Sequence, residues 1–139
     1  MKKIIFGTLN MNGGGASHNR QVQVKSLFDR KQIEVLLLWQ ETLITEDVEY
    51  DWCRLFKGQC FFSNLASSSA GVAFLFRPGL VPESCHFQEV IKGRFISLEL
   101  VIDQFSMIVF AWGVILIVPS TCFRQKYSRT SPRILCRFI

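Results

Sequence analysis

No acidic residue stands beyond Asp103 in this chain of 139 residues, and that absence divides it electrostatically in two. Arg124, Lys126, Arg129, Arg133 and Arg137 supply five of its sixteen basic residues, which leaves eleven basic against eleven acidic in the rest. The formal net charge of +5 therefore comes from the C-terminal stretch alone. A basic excess is the usual footprint of nucleic-acid binding, but one confined to a terminal stretch reads as a solvated segment. Also missing is any Gly-Lys-Ser/Thr step after Gly13-Gly14-Gly15, which excludes a P-loop phosphate cradle and leaves a flexible turn. Histidine is scarce. His18 and His86 each lack a partner at metal-ligand spacing and read as surface or packed residues. The five cysteines, Cys53, Cys60, Cys85, Cys122 and Cys136, show no zinc-type pairing, and their odd number fits free thiols in a reducing compartment. The basic opening before Ile4 leads into an apolar stretch too short for a signal peptide, so the sequence predicts a nuclear or cytoplasmic protein that is not secreted.

What is present suits a modest folded domain: 49% of residues are hydrophobic and thirteen are Phe. Apolar periodicity predicts a strand over 3–10, a glycine-rich turn at 13–15, and a helix over 18–31 capped by Ser17, with Val24, Leu27 and Phe28 on its apolar face. A second strand over 34–39 completes a strand-helix-strand unit. Residues 45–56 read as a loop or short helix. Strands follow at 60–62 and 70–76, the second ended by Arg77-Pro78-Gly79, and then a hairpin over 94–102 and 105–110 turns at Asp103-Gln104. One helix and about six strands are consistent with one sheet of a layered α/β sandwich.

Two motifs at the ends of apolar runs carry the chemistry. Thr8-Leu9-Asn10-Met11-Asn12-Gly13 delivers Asn10, and Leu36-Leu37-Leu38-Trp39-Gln40-Glu41-Thr42 delivers Glu41, each at the terminus of a buried strand. Strand termini are where α/β proteins place their sites. A carboxylate beside an apolar core needs a charged or hydrogen-bonding partner, or else a place at the surface as a strand cap. Magnesium in phosphate-handling sites is commonly held by only one or two carboxylates, so a single glutamate can serve.

These motifs, with Ser69-Ala70-Gly71-Val72-Ala73-Phe74-Leu75-Phe76 and Gly93-Arg94-Phe95-Ile96 following in order, resemble the endonuclease/exonuclease/phosphatase family, and most closely the endonuclease domains of LINE-type retrotransposons. The likeness runs from about Lys3 to about Phe110. It implies a magnesium-dependent hydrolase, a phosphodiesterase acting on DNA, that also accepts manganese. Asn10 would be the active-site asparagine and Glu41 the metal-binding glutamate. Two departures lie nearby: Trp39 stands where relatives have an aliphatic residue, and Leu43 where retrotransposon members carry a histidine. Beyond Phe110 the family's Asn-x-Tyr-Ala-Pro-Asn, Gly-Asp-Phe-Asn and Ser-Asp-His segments do not appear, and the chain reads Ala111-Trp112-Gly113-Val114-Ile115 instead.

The resemblance therefore divides the chain into 1–110, the N-terminal portion of such a domain, and 111–139, a divergent basic tail expected to be unstructured. The expected fold is half of the sandwich, truncated: one mixed sheet with a flanking helix and no partner sheet. The site would lack the groups that orient water and complete metal binding, so this chain is expected to be inactive. The alternatives are a non-catalytic remnant and a membrane-anchored fragment using the uncharged stretch 104–123, whose Ser106, Gly113, Pro119 and Ser120 argue against a membrane helix. No protein partner is indicated.

Overall fold

The computed structural model describes residues 3–39, 42, 44–64, 71–103, 105–111, 115–119 and 134–138. Strand β1 (Ile4–Asn10) and β2 (Val35–Trp39) run parallel, joined by helix α1 (His18–Arg30). Parallel neighbours need such a crossover, since a tight hairpin can join only antiparallel strands. Ser17 caps α1, its hydroxyl accepting from the Arg20 amide at 3.4 Å, and Gln21, Val24 and Phe28 form the buried stripe. Helix α2 (Glu46–Phe56) occupies the region read as a loop or short helix. Its first turn carries Glu46, Asp47 and Glu49 and its last turn Arg54, which matches the helix dipole, while Trp52 and Phe56 are buried one turn apart.

β3 (Cys60–Ser63) and β4 (Val72–Phe76) complete the core of a first sheet, in the order β3-β4-β2-β1, with β9 (Ile134–Phe138) on the far side of β1. Both faces of this sheet are covered. Val35, Leu37, Phe74 and Phe76 face a second sheet, while Leu36, Leu38, Ala73 and Leu75 face the helices. That is why β2 and β4 read as unbroken apolar runs rather than alternating ones. The helix layer is tied on by Arg77, whose guanidinium lies 5.0 Å from the Phe28 ring centre and donates to the carbonyls of Ile33 and Phe28.

The α/β class and the layered sandwich agree with the sequence reading, but the strands form two sheets rather than one. β5 (Ser84–Ile91), β6 (Phe95–Ile102), β7 (Phe105–Ala111) and β8 (Ile115–Pro119) form an antiparallel sheet in that order. Ile96, Leu98, Leu100, Ile102, Met107, Val109 and Ala111 point from it into a core shared with the first sheet. Local periodicity identifies a strand without saying which sheet receives it, and short connections keep β5 to β8 as antiparallel neighbours.

One alternative gives way and one expectation is corrected. The stretch 104–123, weighed as a membrane span, contains β7 and β8 paired antiparallel from Met107↔Pro119 to Ala111↔Ile115. Among the described residues no helix is long and apolar enough to cross a membrane. Within 111–139, expected to be unstructured, β8 extends the second sheet and β9 (Ile134–Phe138) pairs parallel with β1 from Ile4↔Ile134 to Thr8↔Phe138. Arg124, Lys126, Arg129 and Arg133 lie outside the described residues.

Candidate functional site

The four motifs meet in pairs at one end of the first sheet. Asn10 closes β1 in register with Trp39 of β2, and the Met11 amide donates to the Trp39 carbonyl at 2.9 Å. The Asn10 side-chain oxygen accepts from the Asn12 amide at 3.1 Å, an Asx-type turn that starts the chain's reversal toward α1. Asn12, Gly13 and Gly14 continue it with φ of 46°, 88° and 83°. On the other side of the rim, the Gly71 amide donates to the Gly93 carbonyl at 2.9 Å, and the Gly93 amide donates to the buried Ser63 hydroxyl at 2.6 Å. Gly93 of the fourth motif thus fastens the β5–β6 turn onto the ends of β3 and β4, and the exposed Arg94 stands at the start of β6.

Glu41, the expected metal ligand, lies outside the described residues, as do Gln40 and Leu43. Its neighbour Thr42 is wholly buried between two glycines. A Cβ on Gly15 would collide with the Thr42 carbonyl oxygen and lie 2.6 Å from Ile44 Cγ1; one on Gly71 would collide with Thr42 Oγ1. Gly15 is also held by its carbonyl, which accepts from Trp52 Nε1 at 2.8 Å and Gln21 Nε2 at 3.1 Å. The glycine-rich turn is thereby a packing surface for Thr42 and Trp52, in place of the flexible turn expected.

Three buried polar atoms at this rim make no hydrogen bond: Trp39 Nε1, Thr42 Oγ1 and Asn64 Oδ1. Each such atom costs about 1–3 kcal/mol, so three along one rim mark it, among the described residues, as a place where a ligand or water would be stabilising. The Trp39 atom is the physical trace of a departure seen in the sequence. The side chain packs against the core between the sheets, where an aliphatic residue would bring no N–H to satisfy. Asn64 Nδ2 donates to Glu49 Oε1 of α2. Partial burial pushes the Glu49 carboxyl above its ordinary range; the Asn64 hydrogen bond and Lys92 pull it back, while Glu46 and Glu89 push it further up.

The two isolated histidines are exposed, as expected of surface residues. His18 lines a cleft of about 300 Å³ with Gln21, Asp51, Arg54 and Leu55, between the two helices. Cys53, Cys60 and Cys85 are free thiols. Burial, with Cys53 alongside, pushes the Cys60 thiol far above its ordinary range, so it stays protonated and unreactive. Among the described residues no group of three or more His, Cys, Asp or Glu side chains could hold a metal ion. The donors the rim does present, Asn10, Thr42 and Asn64, are oxygens of the kind that suit magnesium or manganese rather than softer metals. Thr42 and Asn64 were missed from sequence because only the folded packing against Gly15, Gly71 and Glu49 sets them apart.

The molecule is, in class, a two-sheet α/β sandwich with helices outside the first sheet and an oxygen-bearing rim at the carboxyl ends of its parallel pair. It is similar to the Transposon TX1 uncharacterized 149 kDa protein of Xenopus laevis, with 37% identity over 94 residues. The match covers 68% of this chain but 7% of that protein's length. No family model matches the chain. The similarity supports a transposon-derived origin.

Proposed function

We propose that this chain carries part of a magnesium-dependent endonuclease site of the retrotransposon type, in which Glu41 holds the ion and Asn10 orients the scissile DNA phosphate. The observation that supports the reading is the parallel register pairing Asn10 with Trp39, so that the strand that precedes Glu41 by two residues in the sequence ends beside Asn10. Magnesium bound there would offset charge on the phosphoryl oxygens. The Asn10 carboxamide is pre-oriented by the Asn12 amide, and the rim's oxygens match the ligand preference of the ion. The tyrosine, further aspartates and histidine of the family's later segments have no counterpart in 111–139. The residues here therefore bind the ion without turning over DNA at an enzyme's rate. The pairing of β9 along β1, by a segment with no family likeness, favours a second reading: a folded remnant that binds no ion.

Manganese titration followed by electron paramagnetic resonance separates the two. The expected result is that Glu41→Ala removes one bound Mn2+ per chain while leaving the circular dichroism spectrum unchanged. An unaltered titration in that variant overturns the assignment of Glu41.

A further inference from the structure

Helices α1 and α2 face each other across the cleft of about 300 Å³, with His18 and Gln21 on one wall and Asp51, Arg54 and Leu55 on the other. Each set is spaced three or four residues apart along its helix and so shares one helix face. Gln21 is the buried member, only 2% exposed. Its Nε2 donates to the Gly15 carbonyl at 3.1 Å, and turning the amide over would set oxygen against oxygen. That leaves Oε1 on the other arm of the carboxamide, where among the described residues it accepts no hydrogen bond.

The charges of the lining select the ligand. Asp51 and Arg54 stand at a spacing that commonly pairs, yet among the described residues neither is in an ion pair. A ligand with one charge would be drawn to one of them and repelled by the other; a zwitterion is drawn to both. Its ammonium group finds two acceptors, the Asp51 carboxylate and Gln21 Oε1, and its carboxylate finds the donor fork of Arg54. Leu55 offers apolar surface to a side chain, and the His18 imidazole a further hydrogen-bonding atom. The volume lies at the lower end of the range for small-molecule sites, roughly 300–1,000 Å³, which suits an amino acid better than a nucleotide.

We propose that the cleft between α1 and α2 binds a free α-amino acid with an apolar side chain, its ammonium group held by Asp51 and Gln21 and its carboxylate by Arg54. The site uses none of the residues assigned to the ion or to DNA, so it stands independently of the endonuclease reading.

The test is isothermal titration calorimetry of the full chain with L-leucine. Two blocked analogues accompany it: leucinamide, which lacks the carboxylate, and N-acetylleucine, which lacks the ammonium group. Guanosine, a planar ligand with donors for Asp51 and acceptors for Arg54, is the fourth probe. The expected result is saturable binding of one leucine per chain. Each blocked analogue, and each of Asp51→Asn and Arg54→Gln, is expected to weaken it about tenfold or more, as loss of a hydrogen bond to a charged group implies. Both side chains are exposed, so the two variants should keep the wild-type circular dichroism spectrum. Should either fail to fold, the blocked analogues on the wild-type protein carry the test. A wild-type protein that binds no leucine overturns the proposal, as does equal affinity for leucine in both variants or for both blocked analogues. Binding of guanosine in place of leucine also overturns it and makes the cleft a base-binding site.

Discussion

The two sheets use apolar residues at similar density and differ in how many faces they cover. In the first, β2 and β4 are buried on both sides, and each side chain answers to either the helices or the second sheet. In the second, β6 alternates: Ile96, Leu98, Leu100 and Ile102 are buried, while Glu99 is exposed, and on β5 His86 and Gln88 are exposed. Phe95 and Phe110, with ring centres 6.3 Å apart, lie half-buried on the outward side. The doubly covered sheet is also the one whose strand ends carry the candidate site. Fixing polar groups at a strand terminus requires a scaffold that cannot slide, and burial on two faces provides it. The second sheet contributes to the rim chiefly through Gly93.

The largest expected difference between the sheets is in their response to truncation. Phe74 is fully buried and packs edge-on against Phe6 and Phe87, so Phe74→Ala should cost about 3–5 kcal/mol, whereas Phe110→Ala should cost about 1 kcal/mol. Urea unfolding of the two variants measures both; equal losses would mean that the outward face is covered as fully as the core. A smaller effect probes the rim. Gly15→Ala should destabilise by about 1–3 kcal/mol through overpacking against Thr42 and Ile44, and wild-type stability would show that the turn yields freely. The smallest effect is the pH dependence at Glu49. Its folded carboxyl lies above the ordinary value of 4.5, so the folded state holds the proton more tightly than the unfolded chain. Stability from this group is complete below about the unfolded pKa and is lost as pH rises through the folded value. Glu49→Gln should flatten that part of the stability profile, read from thermal unfolding between pH 4 and pH 7 (roughly the carboxylate range).

The same contrast explains what could be read from the chain. β2 and β4 stood out because burial on two faces requires uninterrupted apolar runs, β1 through Ile4-Ile5-Phe6, and the β6–β7 hairpin because its runs flank Asp103-Gln104. α1 was marked by Ser17 and the spacing of Val24 and Phe28. β5 escaped notice: Ser84-Cys85-His86-Phe87-Gln88 is mostly polar because one face meets solvent, and its inward residues, Cys85 and Phe87, are too few to fix a period. β8 and β9 fall where the family likeness stops, and their membership of two different sheets is a tertiary outcome. The position of Asn10 was legible because it is set locally, at a strand end with an Asx turn behind it. Thr42 and Asn64 were not, since what distinguishes them is the lack of hydrogen bonds once Gly15, Gly71 and α2 have closed around them.

The parallel pairing of β1 with β9 sets the order of events during synthesis. β9 is made only after every other strand of the first sheet, so one margin of β1 keeps unpaired amides and carbonyls until β9 has emerged. Closing so long a loop is entropically slow, and nascent chains would spend that interval with a sticky margin open to other chains. Helper proteins that shield exposed strand margins would then matter more to the yield of this molecule than to that of a hairpin-built neighbour of the same size.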